Sequence, residues 1–251
     1  MSPSKALLEA ALMEAIFFIA AWMFAARGER WLPKVLMMAL ALLGMLAHGR
    51  WCKFKDVKRD LKWSFYVILT VLGLGAVTAY LLGLLGFGRL SLSIDLNDLL
   101  WYLVAVAFAE ELFFRGYVQP LLNQHFTKEY KSFIGFKSTW HQGTLITSIF
   151  YFGLPHLLTS INPFLSKYTL DVQTAMIAAS ACFLGLVFGI IRESTGNIIV
   201  STAVHFSVVY GTFSLFPSIA KGMAAFIAPA ISLFLFFLVI FQKLLDDYKE
   251  L

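Results

Sequence analysis

Charge is scarce in this chain of 251 residues: Asp, Glu, Lys and Arg make up 14%, against 59% hydrophobic residues and a mean hydropathy of +0.77. So little charge does not cover the surface of a soluble domain of this length, and the chain reads as a polytopic membrane protein. Cysteine is scarce too. Cys52 lies in a basic joint and Cys182 in an apolar run, far apart, which supports neither a disulfide nor a thiolate metal site. Both are read as structural. The usual helical zinc pattern His-Glu-x-x-His is missing. The formal net charge of +5 could point to nucleic acid, but in a chain this apolar it reflects lysine and arginine in cytoplasmic loops, and no nucleic-acid partner is expected.

Long apolar runs are what the chain has in abundance. Windows of about 20 residues can cross the hydrocarbon core, and eight candidates meet that length. They run over 6–26, 31–48, 63–87, 99–122, 144–161, 173–191, 197–217 and 222–242, the second being short. The expected fold is therefore an all-α transmembrane bundle of about eight helices, one integral membrane domain over 1–251. The first run contains Glu9 and Glu14 and is followed by further spans, so it is read as a retained helix and not a cleaved signal. With the N-terminus inside, thirteen cations fall on the inner side: Lys5, six from Arg50 to Lys62, Lys128, Lys131, Lys137, Arg192, Lys243 and Lys249. Six fall outside: Arg27, Arg30, Lys34, Arg89, Lys167 and Lys221. Both termini are expected in the cytoplasm, at the cell membrane if the source is prokaryotic.

Between the fourth and fifth runs, Phe126, Tyr130, Phe133 and Trp140 recur near helical spacing among Lys128, Lys131 and Lys137. That spacing fits a helix lying on the cytoplasmic interface or, with Gly135 present, a basic loop with interfacial aromatics. In the sixth run Gly185 and Gly189 form a small-residue face suited to close helix packing.

Ionisable groups inside spans are costly and mark functional candidates. In "WYLVAVAFAEELFFRGYVQPLL", Glu111 and Arg115 are four apart and share a helix face, whereas Glu110 points about 100° away and has no charge partner on its own helix. His156 in "FYFGLPHLL" and His205 in "STAVHFSVV" lie on two further spans. Helical rise places Glu110 and His156 each about 18 Å, and His205 about 12 Å, from the cytoplasmic ends of their spans. Pro155, just before His156, frees a backbone carbonyl and kinks its helix. A carboxylate beside an imidazole can deprotonate water, and a second imidazole can stabilise an oxyanion, which suffices for amide hydrolysis. Zinc held by one glutamate and two histidines would also serve. A proton-coupled transporter uses similar groups, and purely structural pairing of both acids with Arg115 is a further reading.

These residues resemble a known family. Glu110-Glu111-Leu-Phe-Phe-Arg115, followed by Gly116, is similar to its Glu-Glu-x-x-x-Arg motif, Phe152-Gly-Leu-Pro-His156 to its Phe-x-x-x-His motif, and His205 stands where a third motif places its histidine. The family is the CAAX protease and bacteriocin-processing group of intramembrane endopeptidases, and the resemblance covers about 99–217. It implies that Glu110 is the general base, that His156 helps hold the water, that Glu111, Arg115 and Phe152 support the site and that His205 serves the oxyanion hole. It also implies no metal and no other cofactor, and a membrane-associated protein or peptide as substrate, cut near its C-terminus: a prenylated CAAX tail, a sorting tail or a bacteriocin-related peptide. One position departs from the pattern. Val209 stands where the family carries Asn or Asp, and valine donates no hydrogen bond. The alternative that this departure favours is a non-hydrolytic transporter or immunity protein keeping the cluster for architecture.

Overall fold

The computed structural model describes residues 1–49, Cys52 and 56–249, so Arg50, Lys53 and Lys55 of the basic joint lie outside the described residues. In chain order the elements are helices α1 (Pro3–Ala25), α2 (Trp31–Ala47) and α3 (Val57–Leu84), strand β1 (Arg89–Leu90), helix α4 (96–123), strands β2 (Glu129–Phe133) and β3 (Phe136–His141), helix α5 (142–160), strands β4 (Ile161–Asn162) and β5 (Lys167–Tyr168), helices α6 (Val172–Thr195) and α7 (Ile199–Ile219), strand β6 (Ala220–Lys221), and helix α8 (Met223–Asp247). The molecule is all-α, with three two-stranded ribbons in the joints. Among the described residues α1, α3, α6, α7 and α8 are long and apolar enough to span a membrane, and α2 is a shorter apolar helix of 17 residues.

Local chemistry starts these helices where the sequence places capping residues. Ser2 accepts from the Lys5 amide, with Pro3 in the first turn, where its missing N–H costs nothing. Asp56 caps α3 through the Arg59 amide at 3.1 Å. Asp95 caps α4 through the Asn97 amide at 2.8 Å. Asp171 accepts from both the amide and the hydroxyl of Thr174 at 2.8 Å, and those bonds hold its carboxyl below the usual range. α3, α7 and α8 each contain one π-helical stretch, at Leu69–Gly73, Gly211–Leu215 and Phe236–Phe241, and two further helices depart more from regularity. α4 widens into π-helical turns at Trp101–Phe108 and Leu112–Val118, on both sides of Ala109–Glu111. α5 passes through π-helical turns at Thr147–Gly153 and ends as a 3-10 helix over Leu154–Ser160.

The expectation of an interfacial helix between α4 and α5 is overturned. Residues 129–141 form a β-hairpin whose two-residue turn places Ile134 at φ 50° and Gly135 at φ 85°. Successive positive φ angles make the tight turn that joins twisted strands, and glycine takes it without strain. The aromatics that mimic helical spacing pair across the strands: Tyr130 stacks on Trp140 with centroids 4.4 Å apart, and the Trp140 indole donates to the Ser132 carbonyl at 3.1 Å.

The chain divides into two compact units, 1–53 with 109–193, and 54–108 with 194–251. In the second, Ala79, Phe216, Ile219 and Ala228 form a core joining α3, α7 and α8, and Gly75 lies against the Phe216 ring. A second cluster packs Ala107 against Phe206 and Tyr210. At one end the buried Asp60 carboxylate accepts from the Tyr248 hydroxyl at 2.5 Å and the Asn197 amide at 2.8 Å, while the Trp63 indole donates to Asp247 at 2.7 Å. In the first unit, α6 packs closely on α4 and α5. Gly185, Gly189 and Gly153 leave no room for a side chain at those contacts, and Cys182 faces Gly153 as packing. The small-residue face is therefore packing, as its spacing implies.

Candidate active site

Within the first unit, a cavity of about 390 Å³ is lined by α1, α2, α4, α5 and the β4–β5 ribbon. Glu110 and His156 both line it, with Phe152 and Pro155 beside them. The structure thus brings together two of the three residues expected to react, one from the middle of α4 and one from the 3-10 end of α5. His205 is buried on α7, in the second unit, with Ser201 one turn earlier also buried.

Glu110 is not without a charge partner. Lys34, in the first turns of α2, places its ammonium 2.6 Å from Glu110 Oε1, and both side chains keep a small exposed fraction. Phe17 of α1 lies 5.5 Å from that ammonium. The spacing on α4 points to no partner for Glu110, and grouping Lys34 with the outer loop cations hides the one that α2 supplies. Glu14 of α1 is the other acid on the cavity wall; it is buried, and its Oε1 has no hydrogen-bond partner among the described residues. Glu14 satisfies the same rule that singles out Glu110, an ionisable group within an apolar span, so the signal was in the sequence.

Glu111 turns away from the cavity lining. Its Oε1 lies 3.4 Å from Arg115 Nη1, and both side chains are fully buried. Arg115 Nη2 donates to the Gly185 carbonyl at 2.9 Å, and the guanidinium lies 4.1 Å from the Phe152 ring centroid. One turn on, Gln119 donates to the Gly189 carbonyl at 2.9 Å. These two bonds, four residues apart on each helix, fix the rotation of α4 about its axis. With Glu111 and Arg115 held on that side, the neighbouring Glu110 projects into the cavity.

His156 is oriented by its own turn. Its Nδ1 is 2.6 Å from the Phe152 carbonyl oxygen, which only accepts, so Nδ1 carries the hydrogen and the neutral ring keeps its lone pair on Nε2. The Phe152 ring sits edge-on to the imidazole at 5.2 Å. Phe152 therefore touches both Arg115 and His156, linking the buried pair to the cavity wall. Asn162 donates to the Trp22 carbonyl at 3.1 Å and the Trp22 indole to the Leu158 carbonyl at 3.4 Å, which ties the end of α5 to α1 on the far wall.

The arrangement can hold a water between a carboxylate and an imidazole lone pair, beside an ammonium, inside a mostly apolar wall. Among the described residues no group of three or more His, Cys, Asp or Glu is placed to share a metal ion. No curated protein and no solved structure matches the chain. Residues 92–211, which hold Glu110, Glu111, Arg115, Phe152, His156 and His205, match the family model described as Type II CAAX prenyl endopeptidase Rce1-like.

Proposed function

We propose that this chain is a glutamate-dependent intramembrane endopeptidase that needs no metal. The observation that carries the reading is that Glu110 and His156, from two different helices, line one cavity within the apolar part of the chain. Glu110 takes a proton from a water held with His156 Nε2 as the water oxygen bonds to the scissile carbonyl carbon. The carbonyl oxygen becomes an oxyanion, for which His205 is the proposed donor. Collapse of that intermediate breaks the C–N bond, and the proton on Glu110 passes to the leaving amine. Glu111, Arg115 and Phe152 hold the geometry without touching substrate.

The proposed substrate is a membrane-associated protein or peptide cut near its C-terminus, as the family description implies for prenylated CAAX tails. Orientation bears on which tail is cut. The cavity is lined by Ala25 at the end of α1 and Lys34 at the start of α2, away from the N-terminal ends of α1 and α5. With both termini cytoplasmic, as the cation count favours, that end faces the outer leaflet and suits a sorting tail; the reverse orientation suits a prenylated cytosolic tail. The competing reading, a non-hydrolytic membrane protein, draws on Val209 and on the Lys34–Glu110 ion pair, in which the carboxylate already has a partner other than water. Incubating purified protein with a farnesylated CAAX peptide and with a sorting-tail peptide, followed by mass spectrometry, separates these readings. A single cut near one C-terminus, unaffected by strong chelators, is expected; no product from either peptide would favour the competing reading.

A further inference from the structure

We propose that Lys34 is an oxyanion donor of this site, supplying the hydrogen bond that Val209 cannot. The inference rests on the glutamate-dependent reading. Its geometry is simple: Lys34 Nζ touches Glu110 Oε1 at 2.6 Å and lines the same cavity as His156. A water activated by Glu110 attacks a carbonyl carbon about 3–3.5 Å away. The oxygen of that carbonyl then gains charge within reach of an ammonium already beside the base. An ammonium has three donors, and Glu110 takes one.

Charge movement favours the same role. Before attack the negative charge is on Glu110; after it, Glu110 is protonated and neutral, and the charge is on the substrate oxygen. The total inside the cavity is unchanged. Lys34 faces the charge at the start and at the end, so no solvent has to reorganise in a wall made largely of apolar side chains. A counter-ion confined to Glu110 would favour the charge before attack and lose that contact after it. An ammonium that follows the charge from carboxylate to oxyanion offsets that loss in the transition state. Lys167 also lines the cavity, but it is exposed on β5, where water competes for it.

The test compares Lys34→Met and Lys34→Arg. Lys34→Met is expected to lower kcat by about 10²–10³-fold with KM changed only a few-fold, the pattern of an interaction made in the transition state. Lys34→Arg keeps a cationic donor and is expected to recover most of the loss. A second measurement needs no turnover: binding of a phosphinate analogue of the cleaved peptide, a charged tetrahedral mimic, to Glu110→Gln and to Glu110→Gln/Lys34→Met. Both variants carry glutamine at position 110, so removing Lys34 strands no carboxylate there. The second is expected to bind the phosphinate about 10²-fold more weakly and the peptide itself about equally. Unchanged kcat in Lys34→Met, or equal loss of peptide and phosphinate binding, would overturn the proposal while the protease reading stands. A wild-type chain that cuts no peptide yet binds phosphinate through Lys34 would overturn the protease reading instead.

Discussion

The Arg115 guanidinium donates to the carbonyl oxygen of Gly185 at 2.9 Å, and the contact depends on the residue that accepts it having no side chain. A Cβ at Gly185 would stand 2.8 Å from Phe152 Cδ1 and 3.2 Å from Arg115 Nη2. Gly185→Ala is therefore expected to destabilise the protein by about 1–3 kcal/mol, in the range of overpacked cores. Activity should fall as well, because Phe152 carries the carbonyl that orients His156. Thermal unfolding in detergent and a cleavage assay on the same preparation check both effects.

The adjacent glutamates should respond differently to the same change. Glu111→Gln leaves Arg115 charged and fully buried, at an expected cost of about 3–5 kcal/mol. Glu110→Gln leaves Lys34 charged but not fully buried, and the glutamine amide oxygen can still accept from it, so its cost should be smaller, about 1 kcal/mol. Equal unfolding temperatures for the two variants would contradict the division of roles.

The hairpin turn gives a test away from the site. Gly135 sits at φ 85°, so Gly135→Val strains the backbone by about 1–2 kcal/mol. The loss should be local, appearing as faster amide exchange over Glu129–His141 with cleavage rate unchanged. Slower cleavage would show that the hairpin contributes to the site.

In the second unit, Tyr248 holds the end of the chain to Asp60 at 2.5 Å, and both partners are buried. Tyr248→Phe removes a donor from a carboxylate and is expected to cost about 1.5–3 kcal/mol. Asn197 still donates to Asp60, so the variant should fold; chemical or thermal unfolding measures the difference.

Much of this arrangement is legible in the sequence because a bilayer makes polarity conspicuous. Glu110, Glu111, Arg115 and His156 stand out inside apolar runs, and helical spacing alone separates the two glutamates. Lys34 does not stand out, because it sits one turn into a helix next to a loop that already holds Arg27 and Arg30. Its partner lies 76 positions away, a relation no local periodicity contains. Gln119 is hidden for a similar reason: an uncharged amide near a helix end carries no mark until Gly189 is seen to accept from it. The hairpin is missed because Tyr130 and Trp140 are ten apart, close to three helical turns, and also direct cross-strand neighbours; the Ile134–Gly135 turn decides between them. The π-helical turns flanking Glu110 follow from packing and have no signature in apolar periodicity.

The most direct test of the central claim is the cleavage rate of Glu110→Gln beside its unfolding temperature. Glutamine keeps the shape and the hydrogen-bonding reach of the side chain but cannot take a proton from water. Folding within about 1 kcal/mol of the parent chain, with no detectable product from a peptide that the parent cuts, is the predicted result. A folded Glu110→Gln chain that cleaves at the parental rate would contradict the assignment of Glu110 as the base.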